Sequence, residues 1–171
     1  MVLMRLAEIK DLDDLVSLYQ EATTHAHTVG KIDWPNPTTE SFVAELVSSG
    51  ELYCFEQAGK IVAAAKLSPH GDVRIWGGQP APATYLAKVA TGNQVRGQAY
   101  FRTAMLPAIV GRFGSSGLLR LDCLADNERL QNFYIELGFV RLGDVKFFSE
   151  KQQKVLAVTR LERSIKPSLS A

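Results

Sequence analysis

The chain has 171 residues, of which 46% are hydrophobic, so it can form one compact domain with a buried core but is short for two. Its 19 Lys and Arg and 18 Asp and Glu leave a net charge of +1, which excludes a broad electrostatic field for nucleic acid or anionic lipid. The apolar runs are far shorter than a membrane span, and MVLMRLAEIKDLDD reaches acidic residues too early for a signal peptide. We expect a single-domain, soluble, cytoplasmic protein with no nucleic-acid or membrane partner.

Neither the cysteines nor the histidines suggest a metal site. Cys54 and Cys123 each lie in an apolar, strand-like run without CxxC spacing, which predicts two reduced thiols in the core. His25 and His27 are two residues apart, so they do not share a helix face, and no third zinc ligand is evident. The sequence therefore predicts no bound metal.

The N-terminal part predicts a strand and two helices. Residues 2–9 form the strand, and Asp11 is the expected N-cap of a helix whose apolar residues recur on one face. That helix is expected to fade into a loop, TTHAHTVGKIDWPNPTT, because Gly30, Pro35 and Pro37 oppose regular structure. A second helix should start near Thr38 or Thr39 and stop at SSG.

The middle of the chain predicts a hairpin, a long loop and a strand that leads into a helix. Two apolar runs in ELYCFEQAGKIVAAAKLS flank Ala58-Gly59, the pattern of a hairpin turn. Residues 68–82 read as a loop whose length is uncommon without a function. The strand ATYLAKVA follows, and the helix after it contains Pro107, which should kink it or remove one hydrogen bond.

The C-terminal part predicts a strand, a helix ended by Gly138 and two further strands. The complete order indicates an α/β or α+β domain with about four helices around a mixed, mostly antiparallel sheet of six or seven strands, including a strand–helix–strand crossover. We place this domain at residues 1–163 and a frayed tail at residues 164–171.

The segment GNQVRGQAYFR joins the predicted central strand to its helix. Such a turn exposes backbone N–H groups at the positive end of the helix dipole, where phosphate binds. Gly97 and Ala99 permit close approach, and Arg96 or Arg102 can add charge-assisted contacts. The alternative is that the glycines only make a tight turn. The absence of GxGxxG and GK[ST] argues against a Rossmann dinucleotide site and a nucleotide triphosphatase.

A second cluster follows in LRLDCLADNERLQNFYIELGFVRLG. Asn127 and Tyr134 are seven residues apart, or two helical turns, which places them on one face of the predicted helix. Each also has a plain structural interpretation, Tyr134 as a core aromatic residue and Asn127 as an ordinary residue at a helix N-terminus.

Together these clusters resemble the GNAT superfamily of N-acetyltransferases over roughly residues 4–162. In that family the pattern Q/R-x-x-G-x-G/A receives the pyrophosphate of acetyl-coenzyme A, and the central strands are splayed. The matching positions here are Gln94, Val95, Arg96, Gly97, Gln98 and Ala99. The family's later Asn and Tyr match Asn127 and Tyr134 ahead of Gly138-Phe139.

The resemblance implies a role for each of these residues. The backbone amides of about Val95 to Ala99 would hold the pyrophosphate, and the strand edge at Ala87 and Val89 would pair with the pantetheine arm. Asn127 would bond that arm or the tyrosine, and Tyr134 would be the general acid for the departing thiolate. The backbone N–H near Val89 is also suited to donate to the oxyanion of the tetrahedral intermediate.

The general base and the acceptor are less defined. The central strand has no glutamate, and Lys88 lies there instead, directed to solvent or to an acidic group of the acceptor. The other candidate bases are Glu51, Asp33, His25 and His27. The loops HTVGKIDWPNP and SPHGDVRIWGGQPAP are expected to line the acceptor pocket.

The sequence thus favours an acetyl-CoA dependent N-acetyltransferase that transfers acetyl directly to a primary amine. A small molecule or amino acid is preferred over a protein N-terminus or lysine as the acceptor. Trp34 and Trp76 either cover the substrate or anchor their loops. The alternative is a non-catalytic acyl-CoA sensing or partner-binding domain of the same fold. A homodimer is an open option.

Overall fold

The computed structural model describes residues 1–29, 34–35, 37–78, 82–97 and 99–166. Over these residues the chain forms seven strands and five α-helices. The strands are β1 (Leu3–Leu6), β2 (Leu52–Gln57), β3 (Lys60–Ser68), β4 (Thr84–Thr91), β5 (Leu118–Leu124), β6 (Val140–Ser149) and β7 (Lys154–Ser164). The helices are α1 (Leu12–Val29), α2 (Glu40–Ser48), α3 (Val73–Trp76), α4 (Leu106–Phe113) and α5 (Glu128–Glu136).

The strands form one mixed sheet in the order β1-β2-β3-β4-β5-β7-β6. The pairs β1–β2, β2–β3, β5–β7 and β6–β7 are antiparallel, whereas β4 and β5 are parallel. The parallel pair requires a crossover, and α4 lies between its two strands in the chain. The predicted fold class, a mixed and mostly antiparallel sheet with one central crossover, is confirmed.

The chain consists of two compact units, which are described separately: Met1–Leu67 with Ala87–Ile109, and Ser68–Leu86 with Val110–Ala171. In the first unit, helices α1 and α2 bury their apolar faces with residues of β2, β3 and β4. The members of this core are Leu15, Leu18, Tyr19, Ala22, Val43, Leu46, Leu52, Cys54, Ala64 and Ala90. An ion-pair network of Arg5 with Asp11 and Glu56 joins β1 to the start of α1 and to β2.

The predicted loop after the first helix is wrong at its start, because α1 continues to Val29. Thr23, the first residue of that segment, is buried, and its hydroxyl lies 3.0 Å from the Thr38 hydroxyl. Tertiary packing therefore keeps a polar segment helical that propensity alone would not favour. The opening strand is also shorter than predicted, since a 3-10 turn over Ile9–Asp11 precedes α1.

Several local predictions are confirmed by the backbone. Thr39 caps α2, since its hydroxyl accepts from Phe42 N at 3.2 Å. Ala58 and Gly59 both have positive φ, at 51° and 73°, as a two-residue hairpin turn of this kind requires. The long loop at residues 68–82 differs from the prediction because it contains the short helix α3.

In the second unit, alternate residues of β5 are buried on one face, namely Leu119, Leu121 and Cys123. The other face carries charged residues that pair across strands, such as Arg120 with Glu162 at 2.7 Å. β7 extends to Ser164 and Ile165 is only 2% exposed, so ordered structure passes the predicted boundary at residue 163. Residues 167–171 of the predicted tail lie outside the described residues.

Both cysteines lie in the core, as predicted, and neither forms a disulfide. Burial raises the pKa of Cys54 and of Cys123 to about 12. Among the described residues, no helix is long and apolar enough to cross a membrane, and no cluster of His, Cys, Asp or Glu is placed to hold a metal ion.

Candidate active site

The loop after β4 is a compact turn closed by its own backbone. Val95 N and Arg96 N both donate to the Gly92 carbonyl, at 3.2 and 3.1 Å, and Gly92 N donates to Val62 O on β3 at 2.8 Å. The Val95 side chain is buried and fixes the turn to the core. The amides of Val95 and Arg96, predicted as pyrophosphate donors, thus already have an acceptor inside the turn.

Two glycines serve this turn in different ways. A Cβ on Gly92 would lie 2.7 Å from Gln94 Oε1 and 3.2 Å from Leu18 Cδ1, so it would displace the exposed Gln94 side chain and press on the buried Leu18. Gly97 has φ +78°, which favours glycine, and a Cβ there would meet nothing within 4 Å. Among the described residues the space beside Gly97 is therefore open, and the backbone conformation alone requires glycine at this position.

Arg96 holds the loop together. Its guanidinium donates to Thr91 O at 2.8 Å and also to Asn93 Oδ1. Asn93 N in turn donates to Glu21 Oε2 on α1 at 2.8 Å. The sequence predicted Arg96 as a source of positive charge; the structure adds a role in closing the turn that residue type and spacing did not reveal.

The helix after the loop begins in an unusual way. Ala99 has φ +54°, and Thr103 donates to its carbonyl through both N, at 3.0 Å, and Oγ1, at 3.1 Å. Phe101–Met105 form a π-helical turn in which Leu106 N donates to Phe101 O. Pro107, which lacks an N–H, directly follows this turn inside one continuous helical stretch, so it cannot donate the regular i→i−4 bond to Thr103 O. The sequence predicted that Pro107 would kink the helix or remove one hydrogen bond, and the π turn immediately before it accommodates the missing bond.

The start of this helix therefore has the features of an anion-binding site. It is formed by Gly97, Ala99 and the first helical turn, and these residues fit a phosphate group. Tyr100 is 7% exposed, and its hydroxyl has no hydrogen-bond partner among the described residues. Gln98, also predicted to bind here, lies outside the described residues. Gln94 is exposed, and its Oε1 turns back toward Gly92.

On β4, the predicted contact residues Ala87 and Val89 flank a backbone irregularity. Ala87 is exposed and Val89 half-buried, and between them Lys88 has φ +52°. The Lys88 carbonyl accepts a 2.7 Å hydrogen bond from Tyr19 Oη on α1. The Lys88 ammonium lies 5.9 Å from the ring centroids of both Trp34 and Phe42 and the residue is half-buried, an aromatic contact that the sequence did not predict.

In the second unit, Asn127 is the N-cap of α5, accepting from Leu130 N at 3.2 Å. This position agrees with the plain structural interpretation of Asn127 as a residue at the helix N-terminus. Gln131, which sequence reasoning missed, is buried, and its side-chain amide donates to Leu124 O at 3.3 Å and Ala125 O at 2.9 Å. These bonds fix the turn between β5 and α5 at the end that carries Asn127.

Tyr134 lies near the end of α5 and is 7% exposed. Phe139 N donates to Tyr134 O and Gly138 N donates to Ile135 O, with Gly138 at φ +89°, which is a Schellman motif. The ring of Tyr134 packs at centroid distances of 5.2 Å on Phe133 and 5.4 Å on Phe139. Burial, and secondarily Cys123, raises the pKa of Tyr134 above its usual value, so the phenol stays protonated at neutral pH.

The candidate bases differ in their surroundings. Glu51 forms an ion pair with Lys66 at 3.5 Å, and His25 is exposed on α1. Asp33 and the side chain of His27 lie outside the described residues. None of these facts assigns the base, so the base stays an open prediction.

Both tryptophans pack against neighbouring side chains. The Trp34 ring lies 5.4 Å from the Tyr19 ring. Trp76 packs on Tyr85 at 5.4 Å, its indole N–H donates to Asp122 at 3.4 Å, and Arg120 lies over its ring at 5.2 Å. The structure therefore supports the interpretation of both as packing anchors.

The model of the acetyltransferase (GNAT) family matches residues 12–139, about three quarters of the chain, including the loop after β4 and helix α5. The chain belongs to the GNAT family of acetyltransferases. No curated protein matches this GNAT chain significantly in sequence. The family's acetyl donor is acetyl-CoA.

Solved GNAT structures share the fold at low identity. The ribosomal-protein-S18-alanine N-acetyltransferase of Escherichia coli is 18% identical, with a TM-score of 0.66 over 99% of this chain and 97% of its own. A GNAT acetyltransferase of Listeria monocytogenes is 20% identical, with a TM-score of 0.68 over 95% and 94%. The phosphinothricin acetyltransferase of Sinorhizobium meliloti, solved with acetyl-CoA, is 16% identical, with a TM-score of 0.64 over 99% and 91%. At these identities the likeness is one of fold.

Proposed function

We propose that this protein is an acetyl-CoA dependent N-acetyltransferase that transfers acetyl directly to a primary amine of a small molecule or amino acid. The observation that carries the proposal is the turn before the helix, where Gly97 and Ala99 both have positive φ and the space beside Gly97 is open among the described residues. A phosphate group is the ligand that such a turn favours. The family supplies acetyl-CoA as the molecule that carries it.

In this proposal the loop binds the pyrophosphate through the amides of Gly97, Gln98 and Ala99 and the first helical turn. Arg96 keeps the loop closed and adds positive charge. Val95 contributes through its buried side chain, since its N–H is bonded to Gly92 O. Ala87 and Val89 pair with the pantetheine arm, Asn127 forms a hydrogen bond with that arm or with Tyr134, and Gln94 belongs to the loop that binds the pyrophosphate.

Acetyl-CoA supplies an activated acetyl group whose C–S bond breaks as the C–N bond to the acceptor forms. The Val89 N–H donates to the carbonyl oxygen as it becomes negative, which is where a fixed backbone donor has its largest effect. Tyr134 donates a proton, or a strong hydrogen bond, to the sulfur as it leaves. The acceptor gives up its own proton to solvent or to a base.

The acceptor must arrive neutral. An alkyl ammonium with a pKa near 10.4 needs about 4.6 kcal/mol to lose its proton at pH 7. The rate should therefore rise with pH as the neutral amine becomes more abundant. Tyr134 does not oppose this rise, because its pKa lies above the usual value and the phenol keeps its proton.

Thiol release from acetyl-CoA, measured against a panel of small amines, amino acids and peptides with free N-termini, tests the proposal. Turnover with small amines or amino acids, and products heavier by one acetyl group, is the expected result. Turnover confined to peptides would move the acceptor to a protein N-terminus or lysine. Cofactor binding without turnover on any amine would favour the non-catalytic acyl-CoA sensing alternative.

A further inference from the structure

The backbone of Lys88 is held in a conformation that a lysine rarely adopts. Its φ is +52°, within a strand, where residues with a Cβ normally have negative φ. Such a residue tends to relax unless its surroundings hold it, and residues of this kind cluster at functional sites. The question is what holds Lys88.

Three aromatic residues contact Lys88, one at its backbone carbonyl and two at its ammonium. They are Tyr19, Trp34 and Phe42. Tyr19 Oη donates to the Lys88 carbonyl at 2.7 Å, and the rings of Trp34 and Phe42 lie under the Lys88 ammonium. Tyr19 in turn packs on Trp34 at 5.4 Å and on Phe42 at 6.1 Å. Tyr19 is 0% exposed, so the hydroxyl that reaches Lys88 is fixed by the core of the first unit.

The hydroxyl of Tyr19 also fixes the direction of the next amide. The Lys88 carbonyl and the Val89 N–H belong to one peptide group, and in a planar trans peptide they point in opposite directions. Because the carbonyl points at Tyr19, the Val89 N–H points away from it. A rotation of this peptide about the chain would move both groups together.

We propose that Tyr19 is a positioning residue for acetyl transfer: its hydroxyl holds the left-handed backbone at Lys88 and so aims the Val89 N–H at the oxyanion. This inference rests on the proposed function, because it concerns the donor assigned there. The alternative is that Tyr19 is a core tyrosine whose hydroxyl donates to Lys88 O only to satisfy its own hydrogen-bonding need. Burial raises the pKa of Tyr19 above its usual value, so the hydroxyl remains a donor at every useful pH.

The first test is Tyr19→Phe, which keeps the ring and removes only the donor. Loss of an oxyanion donor lowers kcat by about 10²–10³-fold, so a misdirected donor should lower kcat by about tenfold or more. The KM for acetyl-CoA should change less than about twofold, because the phosphate loop is untouched. Tyr53→Phe, at another buried tyrosine of the same unit, is the matched control and should keep kcat within about twofold.

The second test separates backbone positioning from general loosening of the core. In the Tyr19→Phe background, Lys88→Gly and Lys88→Ala both remove the ammonium, but only glycine accepts φ +52° without strain. The glycine double variant should therefore recover several-fold more kcat than the alanine double variant. Equal kcat in the two double variants would overturn the positioning role.

The third test needs no turnover. In the ¹⁵N amide spectrum of the unliganded protein, Tyr19→Phe should shift the Val89 signal and speed its hydrogen exchange, whereas Tyr53→Phe should not. An unmoved Val89 signal would show that Tyr19 does not aim this amide. If Val89 moves as expected but the wild-type protein acetylates no amine, the proposed function fails while the structural coupling stands. If the wild type is active and Tyr19→Phe keeps full kcat, the inference fails and the function stands.

Discussion

The guanidinium of Arg96 donates to the carbonyl oxygen of Thr91 at 2.8 Å, across the turn that separates them. Together with its bond to Asn93, this contact makes Arg96 part of the loop framework as well as a charge near it. A planar guanidinium can make both bonds at once, which an ammonium cannot do with the same geometry.

We therefore expect Arg96→Lys to weaken acetyl-CoA binding by about tenfold even though the charge is kept, because a hydrogen bond involving a charged group contributes about 1.5–3 kcal/mol. Calorimetric titration of Arg96→Lys and Arg96→Gln with acetyl-CoA measures this. Arg129→Lys, on the exposed side of α5, is the control. Full affinity in Arg96→Lys would mean that charge alone matters.

Replacing Gly97 by valine should weaken acetyl-CoA binding by at least about tenfold. The substitution places a β-branched residue at φ +78° and puts its side chain in the open space beside the loop. Gly50→Val is the matched control, because Gly50 also has positive φ, at +70°, and open space around it. Both variants should lose similar thermal stability, and equal cofactor affinity for both would refute the phosphate site.

Tyr134→Phe should lower kcat more than tenfold and leave the Kd for acetyl-CoA nearly unchanged. In the wild type, kcat/KM should rise with pH without a falling limb from Tyr134 up to about pH 10, because burial places its pKa above the usual phenol value. Stopped assays with the best acceptor from pH 6.5 to 10 provide both readouts. An unchanged kcat in Tyr134→Phe removes it as the proton donor.

Replacement by phenylalanine should have different effects on the free energy of unfolding at Tyr100 and at Tyr19. Within the part of the chain that the structure describes, the buried Tyr100 hydroxyl has no hydrogen-bond partner, whereas Tyr19 Oη donates to Lys88 O. Tyr100→Phe should therefore leave the free energy of unfolding unchanged or raise it by up to about 1 kcal/mol, and Tyr19→Phe should lower it by about 1 kcal/mol. Urea denaturation of both variants at pH 7 measures the difference, and a large loss in Tyr100→Phe would contradict it.

The buried thiols should make the protein less stable in alkali. The folded pKa of Cys54 is about 12, above the value of about 8.5 in an unfolded chain, so its contribution is fully present below about pH 8.5 and is lost as pH rises toward 12. When the Cys54 thiol is removed, the free energy of unfolding should fall less steeply with pH in that window, by about 1.4 kcal/mol per pH unit. Denaturation of Cys54→Ala between pH 7 and 10.5 gives the slope, and a slope equal to wild type would contradict the prediction.

The parts of the fold that the sequence predicted correctly depend on local chemistry. The hairpin at Ala58-Gly59, the cap at Thr39 and the helix end at Gly138 each need particular residues within a few positions. The end of α1 could not be predicted in this way, because the contact between Thr23 and Thr38 that accompanies it is tertiary.

The same distinction applies to the site. The pattern around Gly97 is visible in the sequence, because the positive φ at this position favours glycine. The bond between Tyr19 and Lys88 joins residues 69 positions apart through a backbone oxygen, which no residue type reveals. In the helical stripe of α1, Tyr19 looks like any other buried aromatic residue. The bonds made by Arg96 were hidden for a similar reason, because their acceptors do not depend on a motif.

The π turn over Phe101–Met105 sets the direction in which the loop after β4 faces. Each residue of a regular helix advances the chain by about 100° around the helix axis. One extra residue in a turn therefore rotates the preceding chain segment about the axis by a similar angle. Leu106 and Ile109 are fixed by burial, and Pro107 disfavours a return to regular winding because its ring would meet the Thr103 carbonyl. The π turn therefore fixes the rotation between the buried part of the helix and the loop after β4. Losing one residue from the turn would rotate the exposed amides of the loop by about 100° around the helix axis, while the residues of the loop itself stay the same.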